Sequence, residues 1–99
     1  MTYQVRYTKA AKEDLLRLYE FLVENDLESA QRALEAIKKI IGLLEDFPFT
    51  CRKASPDNPF LREMVISFGV GGYVALFEIE EDNMVTILAV RHQREEDYY

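Results

Sequence analysis

The stretch that decides the fold is Leu61 to Tyr99, LREMVISFGVGGYVALFEIEEDNMVTILAVRHQREEDYY. It holds three β-rich runs, Leu61–Phe68, Tyr73–Glu80 and Met84 to about His92. Gly69-Val70-Gly71-Gly72 and Glu81-Asp82-Asn83 separate them. Turn residues between β-branched and aromatic runs predict a three-stranded antiparallel meander. The glycine-rich segment is not a phosphate cradle. Its spacing matches no nucleotide-binding pattern, and a strand follows it where such a cradle needs a helix N-terminus.

Alternation along the runs carries further information. In the second run Tyr73, Ala75, Phe77 and Ile79 share one face, and Val74 and Leu76 the other. In the third, Met84, Leu88 and Val90 share one face, and Val85, Ile87 and Ala89 the other. Both faces are therefore apolar, whereas an antiparallel sheet with one wet face alternates cleanly between apolar and polar. The rest of the chain can cover one face. The other implies a sheet that curls over itself or, the preferred reading, a protein partner lying on it.

Upstream, Tyr3, Val5 and Tyr7 alternate with Gln4 and Arg6, which predicts a strand. Thr8 stands where an N-cap belongs. A helix from about Lys9 to Glu24 follows, with Ala11, Leu15, Leu18/Tyr19 and Leu22 on one stripe. Asn25-Asp26 breaks it, and Asp26 caps a second helix from about Leu27 to Asp46. That stripe is Ala30, Ala33/Leu34, Ile37, Ile40/Ile41, Leu44 and Phe47, and Pro48 ends the helix. Phe47 to Phe60 contains all three prolines and is expected to be a solvated connector. The expected fold is α+β, a single domain over residues 1–99. An N-terminal strand and an antiparallel helix hairpin precede the meander, and the helices lie on one face of the sheet (β-α-α-β-β-β).

Eighteen acidic residues against twelve basic ones leave a net charge of −6, which disfavours a chain that grips DNA by itself. No apolar run approaches the roughly 20 residues of a membrane span. The one cysteine, Cys51, excludes an internal disulfide and fits a cytoplasmic protein, as does the lack of a signal-peptide pattern. One histidine, a distant cysteine and scattered carboxylates lack metal-ligand spacing, and no cofactor motif is present. His92 nonetheless sits beside Arg91 and Arg94. With Arg62 and Arg91 on a phosphate and His92 as acid or base, that set suits RNA cleavage. The weightier reading is a structural histidine at a sheet edge, because Glu95, Glu96 and Asp97 would repel a polyanion. Tyr98-Tyr99 can stack on a base or fold back onto the first helix.

This order of elements resembles the RelE/ParE superfamily of type II toxins, often labelled plasmid stabilisation proteins. The resemblance is carried by Val5-Arg6-Tyr7-Thr8, Ala10-Ala11-Lys12-Glu13-Asp14-Leu15, Ala30 to Pro48, Leu61-Arg62-Glu63-Met64, Gly72 to Phe77 and Val90 to Glu95. It implies a bacterial toxin held in a hetero-oligomer by a cognate antitoxin, whose C-terminal segment wraps it. The two-sided apolar sheet agrees, and makes Val74, Leu76, Val85, Ile87 and Ala89, with Arg91 and Arg94, the expected partner-binding residues. Two branches of the superfamily differ in target. RelE-like members cleave mRNA on the ribosome, and that reading would use Arg62, Arg91, His92 and Tyr98. ParE-like members inhibit DNA gyrase by protein contact. ParE-like relatives often carry an arginine after the tyrosine of the second run, where this chain has Val74. The missing acid–base set and the acidity favour the ParE-like, non-enzymatic branch. The alternatives are the ribonuclease and a relative that binds its partner without toxicity.

Overall fold

A computed structural model describes residues 2–68 and 71–93. Strand β1 (Gln4–Tyr7) leads into helix α1 (Lys9–Val23) and helix α2 (Leu27–Ile41). Two short 3₁₀ turns follow, Gly42–Glu45 and Pro48–Thr50. The chain then enters β2 (Arg52–Ser55), β3 (Asn58–Phe68), β4 (Gly71–Glu80) and β5 (Met84–His92). These five strands form one sheet in the order β1-β5-β4-β3-β2. All neighbours are antiparallel except β1 and β5, which run parallel.

The helix hairpin and the meander match the sequence expectation, with three corrections. First, the second helix stops at Ile41 and tightens into 3₁₀ geometry, so Leu44 stays buried while Phe47 turns outward at 60% exposure. Second, the proline-containing connector is partly sheet. Arg52 and Lys53 pair with Glu63 and Arg62, so β3 begins at Asn58 and β2 becomes an edge strand. Exposed Arg52 and Lys53 on that edge discourage pairing with another sheet. Third, Gly71 and Gly72 belong to β4, not to the turn before it. A side chain at Gly72 would bring its Cβ within 2.6 Å of the Ile66 carbonyl oxygen, which is why glycine stands there.

The core lies between the helices and one face of the sheet. Ala11, Leu15 and Leu18 of α1 and Ile37 and Ile41 of α2 meet Ile66, Tyr73, Ala75, Phe77, Ile79, Val85, Ile87 and Val90. Ala30 and Ala33 are fully buried, their small side chains letting the two helices approach closely. The helices are shorter than the strands they cover. Fifteen residues of helix span about 22 Å, whereas the eleven residues of β3 span about 36 Å.

Strand β5 contains a bulge. Phe77 pairs with Ile87 and Leu76 with Ala89, so Leu88 has no partner in β4. On its other edge, the Ile87 carbonyl accepts the Thr8 backbone N–H at 3.0 Å, and the Leu88 carbonyl accepts the Thr8 hydroxyl at 3.3 Å. Two successive carbonyls facing one edge is the mark of a bulge. The same Thr8 oxygen accepts the Ala11 N–H at 3.0 Å and caps α1. One turn later, Asp14 Oδ2 accepts the Val90 N–H at 2.9 Å. Asp14 is a carboxylate on the helix's apolar face and only 3% exposed, with Arg17 Nη2 3.7 Å from its second oxygen. A buried carboxylate is tolerated where it satisfies an otherwise orphaned backbone donor.

Asp14→Ala should lower stability by about 1–3 kcal/mol, the cost of leaving a buried donor unsatisfied. Urea unfolding measures this. Asp14→Asn, which keeps an acceptor oxygen, should lose less, and amide exchange at Val90 should quicken most in the alanine variant.

Candidate functional site

The bulge decides which residues of β5 face away from the helices. Before it, Val85 and Ile87 pair with Ile79 and Phe77 and lie fully buried in the core. After it, Val90 pairs with Ala75 on the core side, and Ala89 and Arg91 pair with Leu76 and Val74 on the open side. The expectation that Val85, Ile87 and Ala89 share a face is thus corrected. Strict period-two counting fails because Leu88 adds one residue to one strand of the pair.

The open face is therefore less apolar than the alternation implied. Toward the β4–β5 turn it carries a polar ladder. Arg6 Nε donates to Thr86 Oγ1 at 2.8 Å, and Arg6 Nη2 pairs with Glu80 Oε2 at 2.8 Å. Toward the far end it carries Val65, Val74, Leu76 and Ala89, flanked by Glu63 and Arg91. Val65 is 44% exposed and Leu76 half-buried, while Val74 and Ala89 are buried, at 2% and 4% exposure. Arg91 lies directly opposite Val74. Directly paired side chains sit roughly 5 Å apart at Cβ, so a cation is present on this patch although Val74 is not one.

The residues proposed for RNA cleavage do not converge. Arg62 pairs with Phe77 and His92 with Tyr73, which separates them by four residues along β4, or about 13 Å. Arg91 points to the opposite face from His92, as successive strand residues do. Arg62 is also committed locally. Its Nε donates to the Pro59 carbonyl at 2.7 Å, and its Nη1 to the Cys51 carbonyl at 2.8 Å and the Phe49 carbonyl at 3.2 Å. Its guanidinium stands 5.3 Å from the centre of the Phe49 ring. This arginine ties the second 3₁₀ turn to β3. Cys51 is half-buried beside it. Burial pushes the thiol up, only partly offset by the Arg62 charge, so the thiol stays protonated near neutral pH. His92 meets Tyr73 edge-on at 5.5 Å, and burial pushes the Tyr73 phenol up. Arg94 and Tyr98 lie outside the described residues. Among the described residues, no group of three histidine, cysteine or carboxylate side chains could hold a metal ion and no helix is long and apolar enough to cross a membrane.

Sequence reasoning missed a groove of about 500 Å³ between α1 and α2. Tyr7, Leu15, Leu16, Tyr19 and Leu34 form its walls, with Lys12 and Lys38 at the rim. Burial at its base raises the Tyr7 phenol. The available signal was Leu16, an apolar residue off the buried stripe of α1 and 57% exposed.

The match to known proteins agrees with this geometry. A family model described as ParE toxin of type II toxin-antitoxin system, parDE, matches residues 5–97. The chain belongs to the ParE toxin family. In fold it is similar to a protein of the chromosomal ParDE toxin–antitoxin system from P. aeruginosa, with a TM-score of 0.72 and 18% identity over 92% of this chain and 96% of that one. It is also similar to a double arginine-to-alanine variant of E. coli toxin RelE in the free state, with a TM-score of 0.70 and 14% identity over 100% of this chain and 92% of that one. At such identities the likeness is one of fold. No curated protein matches the chain. This ParE family member thus shares its framework with both toxin branches, and its own side chains must distinguish them.

Arg62→Met should destabilise the chain by about 1.5–3 kcal/mol, the worth of charge-assisted hydrogen bonds. It should also speed labelling of Cys51 by a thiol reagent at pH 8, because the turn that half-buries the thiol loosens. Unchanged stability and labelling would contradict a structural role for Arg62.

Proposed function

We propose that this ParE family member is a growth-inhibiting toxin that acts by protein contact on DNA gyrase and is neutralised by a cognate antitoxin. The observation that carries this reading is the dispersal of Arg62, Arg91 and His92. A ribonuclease needs its acid, base and phosphate-binding cations within hydrogen-bond reach of one phosphodiester. Here one arginine is tied to backbone carbonyls, another faces away, and the histidine stands about 13 Å along the sheet from the first. The net charge of −6 supports the same choice, since a ribosome-bound nuclease benefits from a basic surface.

The antitoxin-binding surface we propose joins two areas. One is the open-face patch where Val65 is exposed and Leu76 half-buried, next to the buried Val74 and Ala89 and with Arg91 beside it. The other is the groove between α1 and α2, whose lysine rim favours an acidic amphipathic segment. In this scheme Val85 and Ile87 support the patch from beneath and touch no partner. Arg94, which lies outside the described residues, is proposed as a further antitoxin-binding cation. The complex is a cytoplasmic hetero-oligomer, and the toxin alone does not grip DNA.

Purified chain should inhibit supercoiling by gyrase at micromolar concentration. Antitoxin added in equal amount should relieve the inhibition, and Arg91→Glu should weaken relief by at least tenfold. Normal supercoiling at saturating toxin would remove the gyrase reading. Cutting of mRNA in a translation reaction would replace it with the nuclease.

A further inference from the structure

The sheet outruns its helices, and the uncovered end of the core-side face forms a second cavity. Phe60 follows the alternation of Arg62, Met64 and Ile66, so it lies on the helix side of β3 but beyond both helices. There Tyr3, Phe49, Phe60 and Ile79 line a space of about 410 Å³. Phe49 and Phe60 meet edge-to-face with ring centres 6.2 Å apart, yet both remain about half exposed, at 47% and 50%. Half-exposed phenylalanines at the mouth of a cavity are an unfilled apolar surface.

The rim is acidic. It is the last residue of β4, Glu80, and the turn after it, Glu81 to Asn83, held in a tight reversal by positive φ at Asp82 (61°) and Asn83 (56°). Glu80 is already paired with Arg6. Glu81 and Asp82 are exposed and make no hydrogen bond or ion pair among the described residues. Aromatic rings and carboxylates lining one space suit a planar cation on an apolar stem. The guanidinium forks onto carboxylates and stacks on rings, and the methylenes behind it bury against apolar walls. The protein already shows both halves of that chemistry, in Arg6 on Glu80 and Arg62 over Phe49.

We propose that this cavity docks an arginine side chain projecting from a basic surface of a protein partner. The site lies at the far end of the sheet from the Val65–Val74 patch, so it can be filled while that patch is covered. It does not depend on gyrase being the target. A lysine is the weaker occupant, because its compact, strongly hydrated ammonium gains less from ring stacking.

The test is an NMR titration of the full chain with two blocked tripeptides, acetyl-Gly-Arg-Gly-amide and its citrulline analogue, which keeps the shape and loses the charge. Arginine peptide should shift the amides of Tyr3, Phe60, Ile79 and Glu81 to Asn83, and binding should weaken at least tenfold with citrulline. A Glu81→Gln, Asp82→Asn double variant should also bind the arginine peptide at least fivefold more weakly. Asparagine tolerates the positive φ at 82, and an unchanged amide spectrum elsewhere confirms the fold of the variant. Equal binding of both peptides, or undiminished binding by the variant, would overturn the proposal. So would concentration-dependent shifts of the same amides in peptide-free protein, which would assign the cavity to a second copy of the chain.

Discussion

The hydrogen bond from the Val90 N–H to the buried carboxylate of Asp14 fixes more of this molecule than any other single contact. Strand β1 ends at Tyr7, so the outer edge of β5 loses its strand partner halfway along. Thr8 takes the carbonyls of Ile87 and Leu88, and Asp14 takes the next exposed donor. The N-terminal turns of α1 thereby complete the ladder that β1 leaves unfinished. This seats the helix across β5 and stabilises the bulge at Leu88. Without those partners, backbone groups of β5 would go unsatisfied at a cost of about 1–3 kcal/mol for each that is buried.

The bulge then sorts the side chains of β5. Val85, Ile87 and Val90 go to the core, while Ala89 and Arg91 go to the open face. A regular strand could not send both Ile87 and Val90 to the same side. The apolar part of the open face is consequently small, and a cation stands beside it. Arg91 and His92, consecutive on the strand, face opposite sides of the sheet. The framework shared with RelE-like chains is retained, but the side chains a nuclease would bring together are spread over two faces and about 13 Å of sheet.

Much of this was legible in the sequence. The two helices, their caps at Thr8 and Asp26 and the three-stranded meander follow from local periodicity and turn chemistry. What escaped was non-local. The parallel pairing of β1 with β5 joins residues about eighty positions apart, and nothing in either strand names its partner. The edge strand β2 has little apolar alternation and exists because β3 offers it a ladder and Arg62 pins the preceding turn. The role of Asp14 has no local signal, since it lies in a backbone donor contributed by a strand far along the chain. The bulge broke the face count that had grouped Val85 and Ile87 with Ala89. The grooves were illegible because they depend on where helices stop relative to strands. Exposed Leu16 and Phe60 were their traces.

The most direct test is growth after induction of the His92→Gln chain in cells lacking antitoxin, with the level of soluble protein followed in parallel. If the toxin works through protein contact, the variant should arrest growth as fully as the unaltered chain. Normal growth with undiminished soluble protein would contradict the account and return His92 to a catalytic role.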